Sequence, residues 1–153
     1  MQKSQTLPLV IILQIFSLCR AQCKKEHAGL TITLYNLPLP VIQSYISNKW
    51  KLEFVRGGFI ANYVKSFHDE NVIWQISPNR IMENYNGNIY TDTTITWIRD
   101  LGVNTGLDST FIMKFYDKRL YPYLYIVDGI FNDSLVLHDH AVDGQHYYFS
   151  KSN

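Results

Sequence analysis

A chain of 153 residues, 46% hydrophobic and 14% aromatic, suits a single domain with a substantial core. Its 14 basic residues are balanced by 13 acidic ones and form no stripe, which argues against a nucleic-acid partner. The 11 tyrosines favour an all-β fold, because aromatic side chains fit a pleated surface.

In chain order, Lys3 lies in a short polar stretch and is followed by an apolar run over residues 7–18. The run is short for a bilayer span and reads as the core of an export signal over residues 1–22. Its removal takes away Lys3 and Arg20 and leaves the rest close to neutral. Both cysteines, Cys19 and Cys23, sit at the end of this signal, so the following domain is expected to hold together without an internal disulfide. Cys23-Lys24-Lys25-Glu26 resembles the start of a bacterial lipoprotein, which implies lipidation at Cys23. The preceding Arg20-Ala21-Gln22 departs from the small-residue pattern usual there, and a soluble secreted form is the alternative.

Residues 23–39 read as a tether, although Leu30-Thr31-Ile32-Thr33-Leu34 alternates and also fits a short edge strand. The barrel domain is expected over residues 40–153. Val41, Ile42, Tyr45 and Ile46 have helical spacing behind Pro40 and predict a short helix that caps the sheet. The first main strand follows. In it Trp50, Leu52 and Phe54 share one face, and Lys49, Lys51 and Glu53 the other. Residues 59–71 form a long connection whose apolar residues are expected to pack over an open barrel end, with a lid or binding loop as the alternative. Further strands are predicted over residues 72–77, 80–85, 93–99, 110–116, 123–127, 135–138 and 145–150. Pro78-Asn79 and Asn86-Gly87 make tight turns, the latter because both residues tolerate positive φ. Gly102, Asn104 and Gly106 mark a flexible loop.

No long helix separates these eight strands, so they pair antiparallel. Eight antiparallel strands in succession predict an up-and-down β-barrel, with a β-sandwich as competitor. Taken together, the Asn48-Lys49-Trp50 entry, Trp74-Gln75-Ile76, Tyr85-Asn86-Gly87 and the closing Asp133-Ser134-Leu135-Val136-Leu137 and Asp143-Gly144-Gln145-His146-Tyr147-Tyr148-Phe149 resemble the bacterial lipocalin-like domains. The resemblance covers roughly residues 40–151. It implies an exported barrel, periplasmic, tethered to the outer membrane or secreted, that binds something apolar. Asn48 stands where lipocalins have glycine, and the chain stops at Asn153, where lipocalins carry a further helix.

The candidate lining of a ligand cavity is Trp50, Phe54, Trp74, Trp97, Tyr123 and Tyr125. No catalytic set, cofactor motif or metal-ligand set is nominated. The carboxylates are scattered without a facing pair, Ser134 and Ser150 lack a local base, and Gly57-Gly58 opens no helix. The expected function is capture of a small apolar ligand. The alternative is an envelope interaction or structural module with a filled barrel. A membrane is met only through Cys23.

The histidines His138, His140 and His146 depend on the register of the last hairpin. A two-residue Asp143-Gly144 turn would split Leu135 and Leu137 from Tyr147 and Phe149. A three-residue loop over residues 142–144 keeps them on one face and pairs His140 with His146 and Leu137 with Phe149. All three histidines then project from the outer wall, where they read as a solvated face, with weak zinc binding by the imidazoles, lost on acidification, as the alternative.

Overall fold

The computed structural model describes residues 29–60, 62–101 and 109–152. The expected signal with Cys19 and Cys23, and the glycines of the loop at 102–108, lie outside the described residues.

The described residues form one antiparallel sheet, curled into a half-barrel, with a single short helix, α1 (Leu39–Ile46). Its strands are β1 (Ile32–Thr33), β2 (Lys49–Gly57), β3 (Val64–Ser66), β4 (Val72–Ser77), β5 (Arg80–Tyr85), β6 (Asn88–Thr94), β7 (Thr96–Asp100), β8 (Thr110–Tyr116), β9 (Pro122–Phe131), β10 (Ser134–Asp139) and β11 (Gln145–Lys151). The sheet order is β6-β5-β4-β2-β11-β10-β9-β8-β7, with β1 added to β9 and β3 to β2. The expected closed barrel of eight strands is therefore corrected, among the described residues, to eleven strands in an open sheet.

The opening has a local cause. Asn86 and Gly87 take φ values of 49° and 87°, which make a two-residue turn whose twist matches its strands. Pairing then resumes at once, with Tyr85 opposite Asn88, so β6 begins well before residue 93. The single strand expected over residues 93–99 is instead broken at Ile95. That residue is buried, and its N–H bonds to the Asn79 carbonyl at 2.9 Å. Beyond this corner β7 leaves β6 and pairs with β8, so a seam without ladder hydrogen bonds lies between β6 and β7.

A bulge corrects the first strand. Tyr148 faces Phe54 and Phe149 faces Leu52, so Glu53 is an extra residue on β2. Trp50 and Leu52 point inward as expected, but Val55 takes the next inward place. Phe54 lies instead on the outside, stacked on Tyr148 at 4.4 Å.

Helix α1 closes one end. Pro40 stands in its first turn, where a missing N–H does no harm. Ile42 and Ile46 are buried against the sheet core. The Trp50 indole N–H donates to the Ile46 carbonyl at 2.8 Å and satisfies the helix C-terminus. Gln43 and the Trp97 indole both donate to the Pro78 carbonyl, at 3.0 and 2.8 Å, and bind the helix and β7 to the β4–β5 turn. β1 pairs with the second half of β9 and places the fully buried Leu34 in the same core. Gly129 permits this, because a Cβ there would collide with the Ile32 carbonyl oxygen. Among the described residues no helix is long and apolar enough to cross a membrane.

Candidate functional site

At the end opposite α1 the inward side chains surround a pocket of about 420 Å³. Its floor is a cluster of rings. The Trp74 centroid lies 4.9 Å from Phe149 and 5.5 Å from Tyr125. Tyr125 meets Tyr147 edge-on at 5.1 Å, and Tyr123 stacks on Phe115 at 5.4 Å. Such offset and edge-on contacts match the ring quadrupoles and hold the floor in place. Trp74 and Tyr125 are buried, whereas Tyr85 and Tyr90 at the rim are 43% and 48% exposed. The pocket thus has a packed floor and a wet rim.

Polar groups converge on one wall. Ile81, Glu83 and Tyr85 alternate along β5, and Glu83 stands opposite Trp74 in the β4–β5 register, on the inner face. Burial pushes the Glu83 carboxyl above its ordinary pKa. The nearby Thr91 hydroxyl offsets this in part, and the negative charge of Asp117 adds to it. Thr91 faces Glu83 across the β5–β6 pair and is buried, and its hydroxyl makes no hydrogen bond of ordinary geometry among the described residues. The Tyr147 hydroxyl donates to Asp139 at 3.3 Å. Burial raises the phenols of Tyr125 and Tyr147 well above their usual range, so both stay protonated donors at neutral pH.

The seam runs past this rim and is strapped on one side. Burial alone would raise the Asp117 carboxyl. Backbone N–H bonds from Tyr121 at 3.0 Å and Arg119 at 2.8 Å, with the Arg119 guanidinium at 3.3 Å, instead hold it below its usual pKa. This fixes the β8–β9 turn. From it Arg119 Nη2 donates to the Tyr90 hydroxyl at 2.9 Å, and Lys118 Nζ donates to the Ile89 carbonyl at 3.0 Å. The strap sets one edge of the pocket.

Of the six residues predicted to line a cavity, Trp74, Tyr123 and Tyr125 come together at this pocket. Trp50 is buried at the helix end, Trp97 is half-buried on the Pro78 carbonyl, and Phe54 is outside. Cys23 lies outside the described residues. Sequence reasoning passed over Glu83, Tyr90 and Tyr147. Glu83 carried a signal, because the short Pro78-Asn79 turn and the inward Ile81 place it inward by alternation. Tyr90 carried none, since it is the extra residue of a bulge in β6. The apolar residues of the 59–71 connection do not cover the opening as expected. Phe59 and Ile60 are exposed, and among the described residues of the connection only Phe67 packs against the core.

The last hairpin keeps the expected facing and loses the expected register. Leu137 pairs with Tyr147 and His138 with His146, so the loop spans five residues rather than three. Its loop is tightened by internal bonds, Ala141 N–H to the Asp139 carbonyl at 2.8 Å and Gly144 N–H to Ala141 at 3.1 Å. His140 leaves the group, and its Nε2 lies 2.8 Å from the Leu101 carbonyl oxygen. His138 is buried rather than solvated, with its ring stacked on His146 at 4.1 Å.

No protein-family model matches the chain, and comparison with curated proteins and with solved structures finds no similar one.

Proposed function

We propose that this chain is an exported, lipocalin-like binding protein that holds a small, largely apolar ligand at the mouth of its curled sheet. The observation that carries this reading is the pocket of about 420 Å³ with a floor of Trp74, Tyr125 and Tyr147. Its size falls in the range of small-molecule sites, and an apolar wall with a few convergent polar groups is their usual chemistry. Glu83, which lines the pocket, specifies the ligand further, as a ring-bearing molecule with a hydrogen-bond donor or positive charge aimed at its carboxyl. The lipocalin-like reading draws support from the pairing of the first long strand with the last, β2 with β11, and from the capping helix.

A neutral naphthylamine probe is expected to gain fluorescence on binding. Tyr123→Ala, at the partly exposed edge of the pocket, should weaken it about tenfold, while Phe54→Ala on the outer face should leave it unchanged. Equal affinity in both variants, with each shown to be folded, removes the pocket as the site. The export reading rests on residues 7–18, and the anchor on Cys23. Palmitate incorporation in a bacterial host should vanish in Cys23→Ser, and its absence from the parent chain favours the soluble secreted form. The interaction-module reading draws on Phe59, 91% exposed beside Ile60.

A further inference from the structure

Away from the pocket, on the outer wall, three side chains from three strands converge. β9 carries an extra residue where Gly129 pairs with Val136 and Val127 with Leu137, and that residue is Asp128. The bulge directs Asp128 toward the neighbouring hairpin, where its carboxylate lies 3.7 Å from His146 Nε2. His138 lies beside them, and one ligand atom from each of the three falls within 4.8 Å of the others.

We propose that Asp128, His138 and His146 form a binding site for a first-row divalent cation of the zinc type, with at least one coordination position left open. Two imidazoles and one carboxylate are an established donor set for such ions. The second observation is the state of His138. It is only 5% exposed, and its Nδ1 has no hydrogen-bond partner among the described residues. A buried imidazole nitrogen with nothing to bind is a standing deficit that a cation would remove.

The electrostatics agree. Desolvation first, then the neighbouring His146 and His140, push the His138 pKa down to about 4. Desolvation lowers His146 as well, so both rings are neutral at pH 7, as a metal ligand must be.

The site needs one rearrangement. Ligands around one zinc ion stand roughly 3.4 Å apart, from bond lengths near 2.0–2.2 Å. The rings of His138 and His146 are now parallel to within 6°. Each lone pair lies in its ring plane, so parallel rings cannot aim at one point. His146 is the ring with room to turn, because its side chain is 40% exposed. His138 is held, with its Nε2 close under Gly144.

Zinc chloride, read by competition with a chromogenic zinc indicator, tests the proposal on the full chain at pH 7.5. One equivalent is expected to bind. His146→Gln and Asp128→Asn should each weaken binding at least about tenfold, the scale of loss seen even for the outer partners of metal ligands. The exposed His68→Gln should not weaken it. Zinc should also shift the imidazole nitrogen resonances of His138 and His146. All variants retain Cys19 and Cys23, so zinc held by thiols would appear as binding that the substitutions leave intact. That result overturns the proposal, as does failure of the parent chain to bind, or equal loss in His68→Gln. His146→Gln and Asp128→Asn alter partly exposed side chains, and unchanged circular dichroism confirms that each is folded.

Discussion

The two ends of the curled sheet are built from the same residue types and treat their polar groups in opposite ways. At the helix end every indole N–H is spoken for. Trp50 bonds to Ile46, and Trp97 bonds to a Pro78 carbonyl that Gln43 also reaches. At the mouth, Glu83 is pressed into an aromatic wall against its ionisation, and the Thr91 hydroxyl beside it offsets this only in part. One end spends its aromatics on holding the fold. The other keeps a carboxyl with a raised pKa beside an open space, where a donor from outside would find an energetic reason to bind.

The contrast predicts substitutions of opposite sign. The largest effect is expected at the closed end. Trp50→Ala should lower the unfolding free energy by roughly 3–5 kcal/mol, the loss typical of large aromatic truncation in a core. Trp50→Phe keeps most of the ring, loses the bond to Ile46, and should lower it by roughly 1–2 kcal/mol. Urea denaturation measures both. A loss below about 1 kcal/mol in Trp50→Ala would place the two ends on an equal footing and break the comparison.

A smaller and opposite effect is expected at the mouth. The folded-state pKa of Glu83 is raised above 4.5, so folding carries a penalty for its charged form at neutral pH. That penalty is full above the folded pKa and gone below the unfolded value near 4.5. Glu83→Gln removes it. The variant should therefore melt a few degrees above the parent at pH 7, and the gap should close as the pH is taken down through the folded pKa to 4.5. A variant that melts lower at pH 7 would mean that the carboxylate stabilises the wall. A variant that is more stable and binds the probe less well would sharpen the comparison, since it would separate what holds the fold from what serves the site.

Much of this architecture was legible in the residues. Asn86-Gly87 announced its turn, Pro40 announced the helix, and the alternation of Trp74 with Ile76 gave the facing of β4. Of the rings at the pocket, Trp74, Tyr123 and Tyr125 followed from the same alternation. What escaped were the places where one residue is added to a strand. Glu53, Tyr90 and Asp128 are each the extra residue of a bulge, and each lies within a run of otherwise ordinary strand residues. A bulge reverses all facing beyond it, so Phe54 went to the wrong side and Asp128 was not connected to the histidines. The seam was hidden for a related reason. Residues 93–99 are apolar and β-branched enough to pass for one strand, and only the burial of Ile95 beneath the Asn79 carbonyl shows that the chain turns a corner there. The last hairpin shows the limit of facing as a guide, because registers two residues apart put the same side chains inside.

The seam has a consequence for how copies of the chain behave toward each other. An up-and-down barrel that closes its ladder has no free strand edge, but among the described residues the main path of this sheet ends in β6 and β7, and the short added strands β1 and β3 are each paired on one side. A free edge is a template for any strand that arrives with its own N–H and C=O groups unpaired. On β6 the template is interrupted where Lys118 occupies the Ile89 carbonyl, and Arg80 with Asp92 adds a charged pair at 2.8 Å beside it. The strap that frames the pocket therefore also covers part of one free edge of the sheet.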